Sequence, residues 1–528
     1  MIAEPSRRGE WLLPLALCGA FLLLGLLTLG CYGATWDEPM HRIAGERVWA
    51  YVRTGDSRLI DDLPGGGRYY GPLFYMLNYG LSELAHGVFG VPFTAANHLL
   101  TLVTATLGLF CTYRLAELLV SRRAAVATAV LLILLPPFMA HAHYNPKDIP
   151  LLTLAVATLL FASRAYRTRR ARHAILTGVF LGVALSMKPT VVVLLPIIGG
   201  AVLADLAVRR AWHSAEIRAI VGLAGITTLS AIISLLVGWP TLWRDPNLLI
   251  ETIRYFGMGN FWTGEVLYFG RLVLAAELPW HYLPVMLLMS MPLITLALAV
   301  LGGALLVRQL ARPRTVVPGG PFAAVLLLLW VLLPVLMFMK PGLPRYDGMR
   351  QVFFMVPAVA ILAGAGWDAL WRAAAGRVGM RRLVLGLSAA GIAWLAAEAA
   401  RFFPYGGSYT SAAARAVLGP ALERRFEIEY WGASYREGAR WLQQHAAPGS
   451  VICVPLAMQV LEWQPERVRD DMTYDCDRAA DFVMMITRTS QWPYEYLPYA
   501  AAAPVFRISR AGSDLLHVYR AARPARAD

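Results

Sequence analysis

The 528-residue sequence predicts an all-α polytopic membrane protein of about eleven transmembrane helices, followed by a small C-terminal α/β domain outside the membrane. Three observations support this class. Hydrophobic residues make up 57% of the chain, and its mean hydropathy is +0.52. Apolar runs long enough for a bilayer core of about 30 Å recur along the first 400 residues. Arg residues cluster between these runs, as they do in cytoplasmic loops.

The spans follow from the runs, because a spanning helix needs about 20 apolar residues. Single spans are expected near 11–33, 97–119, 124–142, 149–163, 217–239, 282–306, 322–339, 351–370 and 383–400. The run 174–204 would measure about 46 Å as one straight helix and is broken by Lys188-Pro189, so it is expected to cross twice. Two crossings also place the Arg clusters on one side of an inner (plasma) membrane, with the N-terminus cytoplasmic and the C-terminus outside.

We expect residues 1–400 to form a transmembrane module with outer loops 34–96 and 240–281, and residues 401–528 to form an extracytoplasmic domain. In the first loop, surface helices are expected at 40–53 and 73–84. The C-terminal pattern predicts a helix at 435–446, buried strands at 451–455 and 482–488, and a hairpin of 504–509 with 515–520. Cys453 and Cys476 in this domain are either a disulfide or two buried free thiols.

The formal net charge of +14 reflects membrane topology and does not indicate a nucleic-acid partner, since most Arg residues flank apolar runs. The sequence contains no glycine-rich phosphate loop, serine-nucleophile elbow or zinc-protease motif. Soluble nucleotide-sugar chemistry therefore has no recognisable site.

Two adjacent carboxylates, Asp37 and Glu38, follow the first span directly. Because carboxylates beside a bilayer are costly unless solvated or paired, they indicate a functional site and are candidate catalytic residues. The alternative is a helix-ending turn favoured by Pro39. His41 lies within one turn of both acids, as an orienting or substrate-binding partner. Asp37, Glu38 and His41 are also the candidate ligands of a possible cofactor, a divalent metal such as Mn, Mg or Zn.

The chain contains only three Lys residues, and each of them abuts a proline: Lys147, Lys188 and Lys340. A compact ammonium retained in an Arg-rich chain suggests a need for a point charge. Lys188, at the tip of the 174–204 hairpin, should stand at the floor of an outward-facing cavity and requires an anionic partner. With Arg345 and Arg350, these lysines are candidates to bind a lipid-linked phosphate. Headgroup snorkelling is the alternative for Arg350.

Further candidates for substrate binding lie in the outer loops and turns: Tyr70, His143, Asn145, Asp148, His281 and Tyr282. Asp148 has the alternative role of capping the next helix. Most Trp residues in loop 240–281 fit the interfacial anchoring expected of aromatic belts better than they fit sugar stacking.

In their order along the chain, these features resemble the GT-C superfamily of integral-membrane glycosyltransferases, in particular relatives of the protein O-mannosyltransferases and of the lipid A aminoarabinose transferase. The strongest marker is Asp37-Glu38 in the first external loop. Other markers are Tyr70-Gly71-Pro72, Asn145-Pro146-Lys147-Asp148, Ser186-Met187-Lys188-Pro189, Leu278-Pro279-Trp280-His281-Tyr282, Arg345-Tyr346-Asp347-Gly348-Met349-Arg350 and 430–437. The aminoarabinose transferases carry a Glu-Lys-Pro-type motif where this chain has Tyr70-Gly71-Pro72, which is a departure from that branch.

The resemblance implies an inverting transfer of a sugar from a polyprenyl-phosphate donor to an extracytoplasmic protein, lipid or glycan. Asp37 would be the base, and Lys188 with Arg345 or Arg350 would hold the leaving phosphate. A transporter or flippase of a lipid-linked or anionic solute is the competing hypothesis, because transporters also use broken helices around intramembrane charges. A structural envelope protein that binds through its C-terminal tail is a third.

Overall fold

The computed structural model describes residues 11–61, 63–257, 262–311, 319–463 and 471–521, and these residues are mostly helical. The α-helices, in chain order, are α1 (Leu12–Thr28), α2 (Glu38–Thr54), α3 (Arg58–Asp61), α4 (Leu73–Phe89), α5 (Phe93–Leu119), α6 (Arg122–Ile133), α7 (Pro136–Tyr144), α8 (Asp148–Thr168), α9 (Ala171–Met187), α10 (Leu194–Arg209), α11 (Ser214–Gly238), α12 (Leu248–Gly257), α13 (Tyr282–Ser290), α14 (Leu293–Ala311), α15 (Gly320–Phe338), α16 (Val356–Ala373), α17 (Val378–Phe402), α18 (Ala412–Leu418) and α19 (Tyr435–His445). The strands are β1 (Glu265–Tyr268), β2 (Arg271–Leu274), β3 (Val451–Cys453), β4 (Thr473–Tyr474), β5 (Phe482–Ile486), β6 (Phe506–Arg510) and β7 (Ser513–Arg520).

The apolar helices match the predicted spans. Among the described residues, nine helices are long and apolar enough to cross a membrane: Leu12–Cys31, Phe93–Leu119, Asp148–Thr168, Pro189–Arg209, Ser214–Gly238, Leu293–Ala311, Gly320–Phe338, Arg350–Ala373 and Val378–Phe402. The bent pair α6–α7 and the shorter apolar helix α9 occupy the two remaining predicted segments. An all-α polytopic architecture is therefore confirmed.

Prolines break two of the predicted spans. The run near 282–306 is not one helix, because α13 ends at Ser290 and α14 starts at Leu293. Pro292 has no N–H and disfavours helical geometry in the residue before it, so Met291 is extended. Pro136 and Pro137 likewise separate α6 from α7, which meet at a bend of 67°.

The hairpin α9–α10 turns at Lys188. Helix α9 ends at Met187, Lys188 is extended, and a 3-10 turn over Pro189–Val193 leads into α10. Gly71 of the first loop packs directly against this tip, and its N–H donates to the carbonyl of Ser186. A Cβ at position 71 would lie 2.1 Å from that carbonyl oxygen, so only glycine fits.

Small residues bring the buried span α16 close to its neighbours. A Cβ on Gly364 would lie 2.4 Å from the carbonyl oxygen of Ala124 in α6. On another face, a Cβ on Gly366 would meet Leu298 of α14 at 2.1 Å. Close backbone approach through small residues is typical of membrane helix packing, where dispersion contacts supply the stabilisation. Of the candidate spans in the described part of the chain, Arg350–Ala373, which contains α16, is the most buried.

The loop between α1 and α5 contains the predicted surface helices, as α2 and α4. Segment 240–281 contains α12 and the antiparallel hairpin β1–β2 in addition to its aromatic residues. A bridge from Tyr268 of this hairpin to Phe426 attaches it to the C-terminal region.

Residues beyond Phe402 include a five-stranded mixed sheet in the order β4-β3-β5-β7-β6. Strand β3 is parallel to β4 and β5, whereas β7 is antiparallel to β5 and β6. The predicted helix, both predicted strands and the hairpin are all present, and Cys453 and Cys476 form a disulfide. A second apolar core joins this sheet to the helical part, because Tyr32 and Tyr144 pack within it. The charged site described next lies where the two parts meet.

Candidate active site

The site is centred on a contact between Asp37 and Arg350. Asp37 is the N-cap residue of α2, and Arg350 starts the 3-10 turn that leads into α16. Nη2 of Arg350 donates to Oδ2 of Asp37 over 2.5 Å. The Asp37 side chain is 26% exposed and that of Arg350 only 9%. The acid therefore faces an opening, and the guanidinium lies behind it.

The same guanidinium joins three carboxylates. Its Nε donates to Oδ2 of Asp148 over 3.1 Å, and its Nη1 donates to Oδ2 of Asp347 over 2.7 Å. The face of the guanidinium lies 4.5 Å from the ring centre of Trp431. A planar, permanently charged fork is the group suited to bridge several oxygens in this way.

Asp148 links Arg350 to Lys188. The Lys188 ammonium lies 3.3 Å from Oδ1 of Asp148, and both side chains are almost fully buried. Asn145 positions the carboxylate, since its Nδ2 donates to Asp148 while its Oδ1 accepts the backbone N–H of Asp148 over 2.8 Å. The anionic partner expected for Lys188 is therefore Asp148.

Lys147 lies beside this network with its ammonium 3.6 Å above the ring centre of Tyr70. Within the part of the chain that the structure describes, it forms no ion pair with a carboxylate. Burial, together with the charge of Arg350, lowers the pKa of Lys147 to about 7. The Tyr70 ring is therefore the contact that the structure gives this ammonium.

The ionisation of the two groups at the start of α2 is set by their surroundings. Burial opposes ionisation of Asp37, but the charges of Arg350 and Lys147 outweigh it and lower the pKa of this carboxyl below its usual value. Burial lowers the pKa of His41 to about 3, and the ring stacks on Tyr75 at 4.4 Å. At neutral pH the acid is ionised and the imidazole is neutral.

Glu38 differs from its neighbour, because it is buried and fully engaged. Its carboxylate accepts from the N–H and hydroxyl of Thr35 and from the Asn97 amide, and it lies 3.2 Å from Nε2 of His98. These contacts hold the first turn of α2 against α5. Of the two candidate catalytic acids, Asp37 alone lies in the Arg350 network.

The three candidate metal ligands do not assemble into a metal centre. Across the described ranges, no group of three or more His, Cys, Asp or Glu side chains is arranged to hold a metal ion. Asp37 is bound to Arg350 and Glu38 faces Thr35, so Asp37, Glu38 and His41 do not fit one ion.

Several predicted site residues lie outside the network. The Arg345 guanidinium donates to the carbonyls of Leu278 and Lys340, and the Lys340 side chain is exposed. His143 bridges the carbonyls of Met139 and Gly25. Nδ1 of His281 is hydrogen-bonded to the hydroxyl of Tyr268, and the hydroxyl of Tyr282 accepts a hydrogen bond from the N–H of Gly348. These contacts hold loops and helices together.

The C-terminal region contributes a residue that was not expected in the site. Arg488, which follows β5, donates to Oδ1 of Asp347 over 2.9 Å and lies 3.6 Å from Oε2 of Glu427. The signal was present in the sequence, because an Arg within the predicted buried strand 482–488 requires a partner.

An apolar cavity of about 560 Å³ begins next to Lys188. It lies between the α9–α10 tip, α11, α12 and the end of α15, and Pro189 and Thr190 line it directly after Lys188. Lys340 also lines this cavity. A charged site and an apolar chamber thus meet at one turn, as an amphipathic ligand with an anionic head requires.

The fold and the site together define a polytopic membrane protein with a buried charge network beside its loops. Residues 76–236 match the family model described as dolichyl-phosphate-mannose-protein mannosyltransferase. Over this segment, the match confirms the predicted resemblance to relatives of the protein O-mannosyltransferases. The matched segment contains Lys147, Asp148 and Lys188, whereas Asp37 and Arg350 lie outside it.

Solved structures give more distant similarities. ArnT from Cupriavidus metallidurans bound to undecaprenyl phosphate is 16% identical over 97% of this chain and 98% of that one, with a TM-score of 0.49. The archaeal oligosaccharyltransferase AglB from Archaeoglobus fulgidus, in complex with an inhibitory peptide and a dolichol-phosphate, is 11% identical over 90% and 70%, with a TM-score of 0.47. Arabinosyltransferase EmbB from Mycobacterium smegmatis is 16% identical over 80% and 44%, with a TM-score of 0.39. No match is found among curated protein sequences.

Proposed function

We propose that this protein is an inverting glycosyltransferase that moves a sugar from a polyprenyl-phosphate donor to an acceptor outside the cytoplasm. The observation that carries the proposal is the junction at Lys188, where a network of cations meets an apolar cavity of about 560 Å³. The description of the matched family model names a lipid-phosphate sugar as the donor, which supports the same reaction class.

Asp37 is the base in this reaction. An acceptor hydroxyl is a poor nucleophile near neutral pH, and a positioned carboxylate that takes its proton typically contributes about 10²–10⁴-fold. Asp37 is ionised at neutral pH and partly exposed, so an acceptor can reach it. As the new bond forms at the anomeric carbon, the proton passes to Asp37 and the bond from that carbon to the phosphate oxygen breaks.

Arg350, Lys188 and Lys147 stabilise the departing phosphate, whose negative charge increases as the sugar leaves. Fixed cations in a site shielded from bulk water are effective in this role. Lys147 has no carboxylate partner of its own among the described residues, and Arg350 binds Asp37 through one arm of its fork. Binding of a phosphate to Arg350 would loosen that contact and make Asp37 a stronger base.

The apolar cavity receives the first isoprene units of the donor. Leu185, Leu235 and Phe338 line it, and the phosphate would then lie at Lys188. In this arrangement the loops and the C-terminal sheet face outside, with the N-terminus in the cytoplasm. The acceptor is a protein, a lipid headgroup or a glycan.

The proposal is tested with purified protein, synthetic labelled polyprenyl-phosphate sugars, and membranes of a deletion strain as the acceptor source. We expect wild-type protein to transfer label to a membrane component whose glycosylated form mass spectrometry finds in the parent strain and not in the deletion strain. Asp37→Asn is the matched control for background transfer.

The alternative of a flippase gives a different result. A protein that moves the labelled lipid across proteoliposome bilayers, but transfers no sugar to any membrane fraction, would contradict the proposal.

A further inference from the structure

The charge network does not end at Arg350 but continues into the C-terminal sheet. Building on the proposed function, we propose that Arg488 is a positioning residue: it holds Asp347 and, through Asp347, fixes the Arg350 fork between Asp37 and the donor phosphate. The C-terminal sheet is then a working part of the transferase site.

The contacts form one continuous chain. Arg488 donates through Nη2 to Oδ1 of Asp347, and Asp347 accepts from Nη1 of Arg350 on its other oxygen, Oδ2. Arg350 in turn reaches Asp37 and Asp148. Each oxygen of the Asp347 carboxylate thus has its own cationic donor. Loss of either donor leaves that carboxylate free to rotate toward the other.

The backbone that carries Arg488 is held firmly by the sheet. It follows β5, which is buried at every position and flanked by β3 and β7 in the sheet. The N–H of Thr487 donates to the carbonyl of Leu515 over 2.9 Å, which fixes the backbone just before Arg488. The second arm of the Arg488 guanidinium, Nη1, donates to the carbonyl of Tyr430 over 3.1 Å. Because its two terminal nitrogens bond different acceptors, the Arg488 guanidinium is held in one orientation and can fix the position of the Asp347 carboxylate.

Asp347 needs such support, because its backbone has a positive φ of 55°. The left-handed region is sparsely populated by residues other than glycine, although Asp tolerates it better than most, and neighbouring contacts must maintain it. Two arginines on one buried carboxylate provide those contacts. Arg488 therefore acts on the reaction without touching the donor.

The experiment uses the full-length protein with Arg488→Gln, Asp347→Asn and the double variant. The matched control is Arg507→Gln, which removes an exposed arginine of the same sheet that lies 3.7 Å from Asp514. Four quantities are measured: the affinity for undecaprenyl phosphate from intrinsic fluorescence, kcat and KM for sugar transfer, and the melting temperature.

We expect Arg488→Gln to lower affinity and kcat/KM about 10- to 100-fold, the range expected when a hydrogen bond between charged groups is lost. The double variant should be no worse than Asp347→Asn alone, because both changes break the same link. Arg507→Gln should change none of the four quantities.

Arg488→Lys keeps the charge and the fold if Arg488→Gln fails to fold. A single ammonium cannot replace a guanidinium that bonds two acceptors at once. Activity should therefore fall with little change in melting temperature. Equal multiplicative losses from Arg488→Gln in the wild-type and Asp347→Asn backgrounds would overturn the proposal, as would wild-type affinity and turnover in the Arg488 variants.

The proposed function can fail separately. If wild-type protein binds undecaprenyl phosphate but transfers no sugar, the glycosyltransferase proposal is wrong, and the link between Arg488 and Asp347 is still tested by the affinities. A wild-type protein that neither binds this lipid nor transfers sugar would overturn both.

Discussion

Arg350 Nη2 and Asp37 Oδ2 lie 2.5 Å apart, so the candidate base is ion-paired with the candidate phosphate ligand. A carboxylate in such a pair is held ionised but is a weak proton acceptor. In the proposed reaction, the donor phosphate competes with Asp37 for Arg350. Donor binding would therefore prepare the base for the acceptor, which favours an order in which the donor binds first.

Lys147 should give the reaction an alkaline limit. Its pKa is lowered to about 7, so its positive charge is present below that pH and is lost as the pH rises through it. We expect kcat/KM for the donor to fall above about pH 7, because this ratio reports the free enzyme. In Lys147→Met the ratio should be lower at pH 6, and the decline around pH 7 should be absent. An unchanged alkaline limb in that variant would assign the limit to another group.

Lys188→Ala should weaken donor binding strongly. The change also removes one of the two ion pairs of the buried Asp148 and leaves the pair with Arg350, at a cost in folding free energy of about 1–3 kcal/mol. Lys188→Arg should restore donor binding only poorly, because a broad, planar guanidinium replaces a compact ammonium beside the apolar cavity. Affinity for undecaprenyl phosphate and the melting temperature measure the two effects. Wild-type affinity in Lys188→Ala would reduce Lys188 to a structural partner of Asp148.

Gly71→Ala should disturb the site from the first loop. The new methyl group would lie 2.1 Å from the Ser186 carbonyl, so the turn that carries Lys188 must shift. Overpacking of this kind costs about 1–3 kcal/mol, and we expect a lower melting temperature together with reduced transfer. Gly87→Ala in α4 is the control, since nothing lies within 4 Å of a Cβ at that position. Similar behaviour of the two variants would show that the close packing at Gly71 is unimportant.

Glu38→Gln should act mainly on stability. Its carboxylate accepts from Thr35 and Asn97 in a buried pocket, so loss of the charge weakens hydrogen bonds that fix the start of α2. We expect a loss of about 1–3 kcal/mol in unfolding free energy and retained turnover per folded molecule. Thermal denaturation with transfer assays on the folded fraction tests this. An inactive but fully stable Glu38→Gln would indicate a direct role in catalysis.

The sequence predicted the spans well because hydropathy and Arg placement are local signals that a bilayer imposes directly. It also selected Asp37, Lys188 and Arg350 as candidates, because charges beside apolar runs are rare and costly, and the structure joins these three through Asp148. It did not predict that Glu38 faces α5 whereas Asp37 faces Arg350. That difference depends on which side of α2 packs inward, and two adjacent acids carry no such information.

Arg345 and Arg488 show the same limit. Arg345 lies in the motif with Arg350, but its guanidinium is directed to backbone carbonyls. Arg488 is more than a hundred residues away along the chain, yet it reaches Asp347. Long-range pairing of this kind depends on how the C-terminal sheet docks on the helices. Hydropathy and motif spacing do not encode that arrangement.

The most direct test of the account compares sugar transfer by Asp37→Asn and Glu38→Gln at equal amounts of folded protein. Asp37→Asn retains size and hydrogen-bonding capacity but removes the basicity, so turnover should fall about 10²–10⁴-fold, or roughly 3–5 kcal/mol of barrier, while the protein still folds and binds donor. Glu38→Gln should retain turnover. Near-parental transfer by Asp37→Asn with an inactive Glu38→Gln would mean that the base is the other acid, and full activity of both variants would contradict the proposed mechanism.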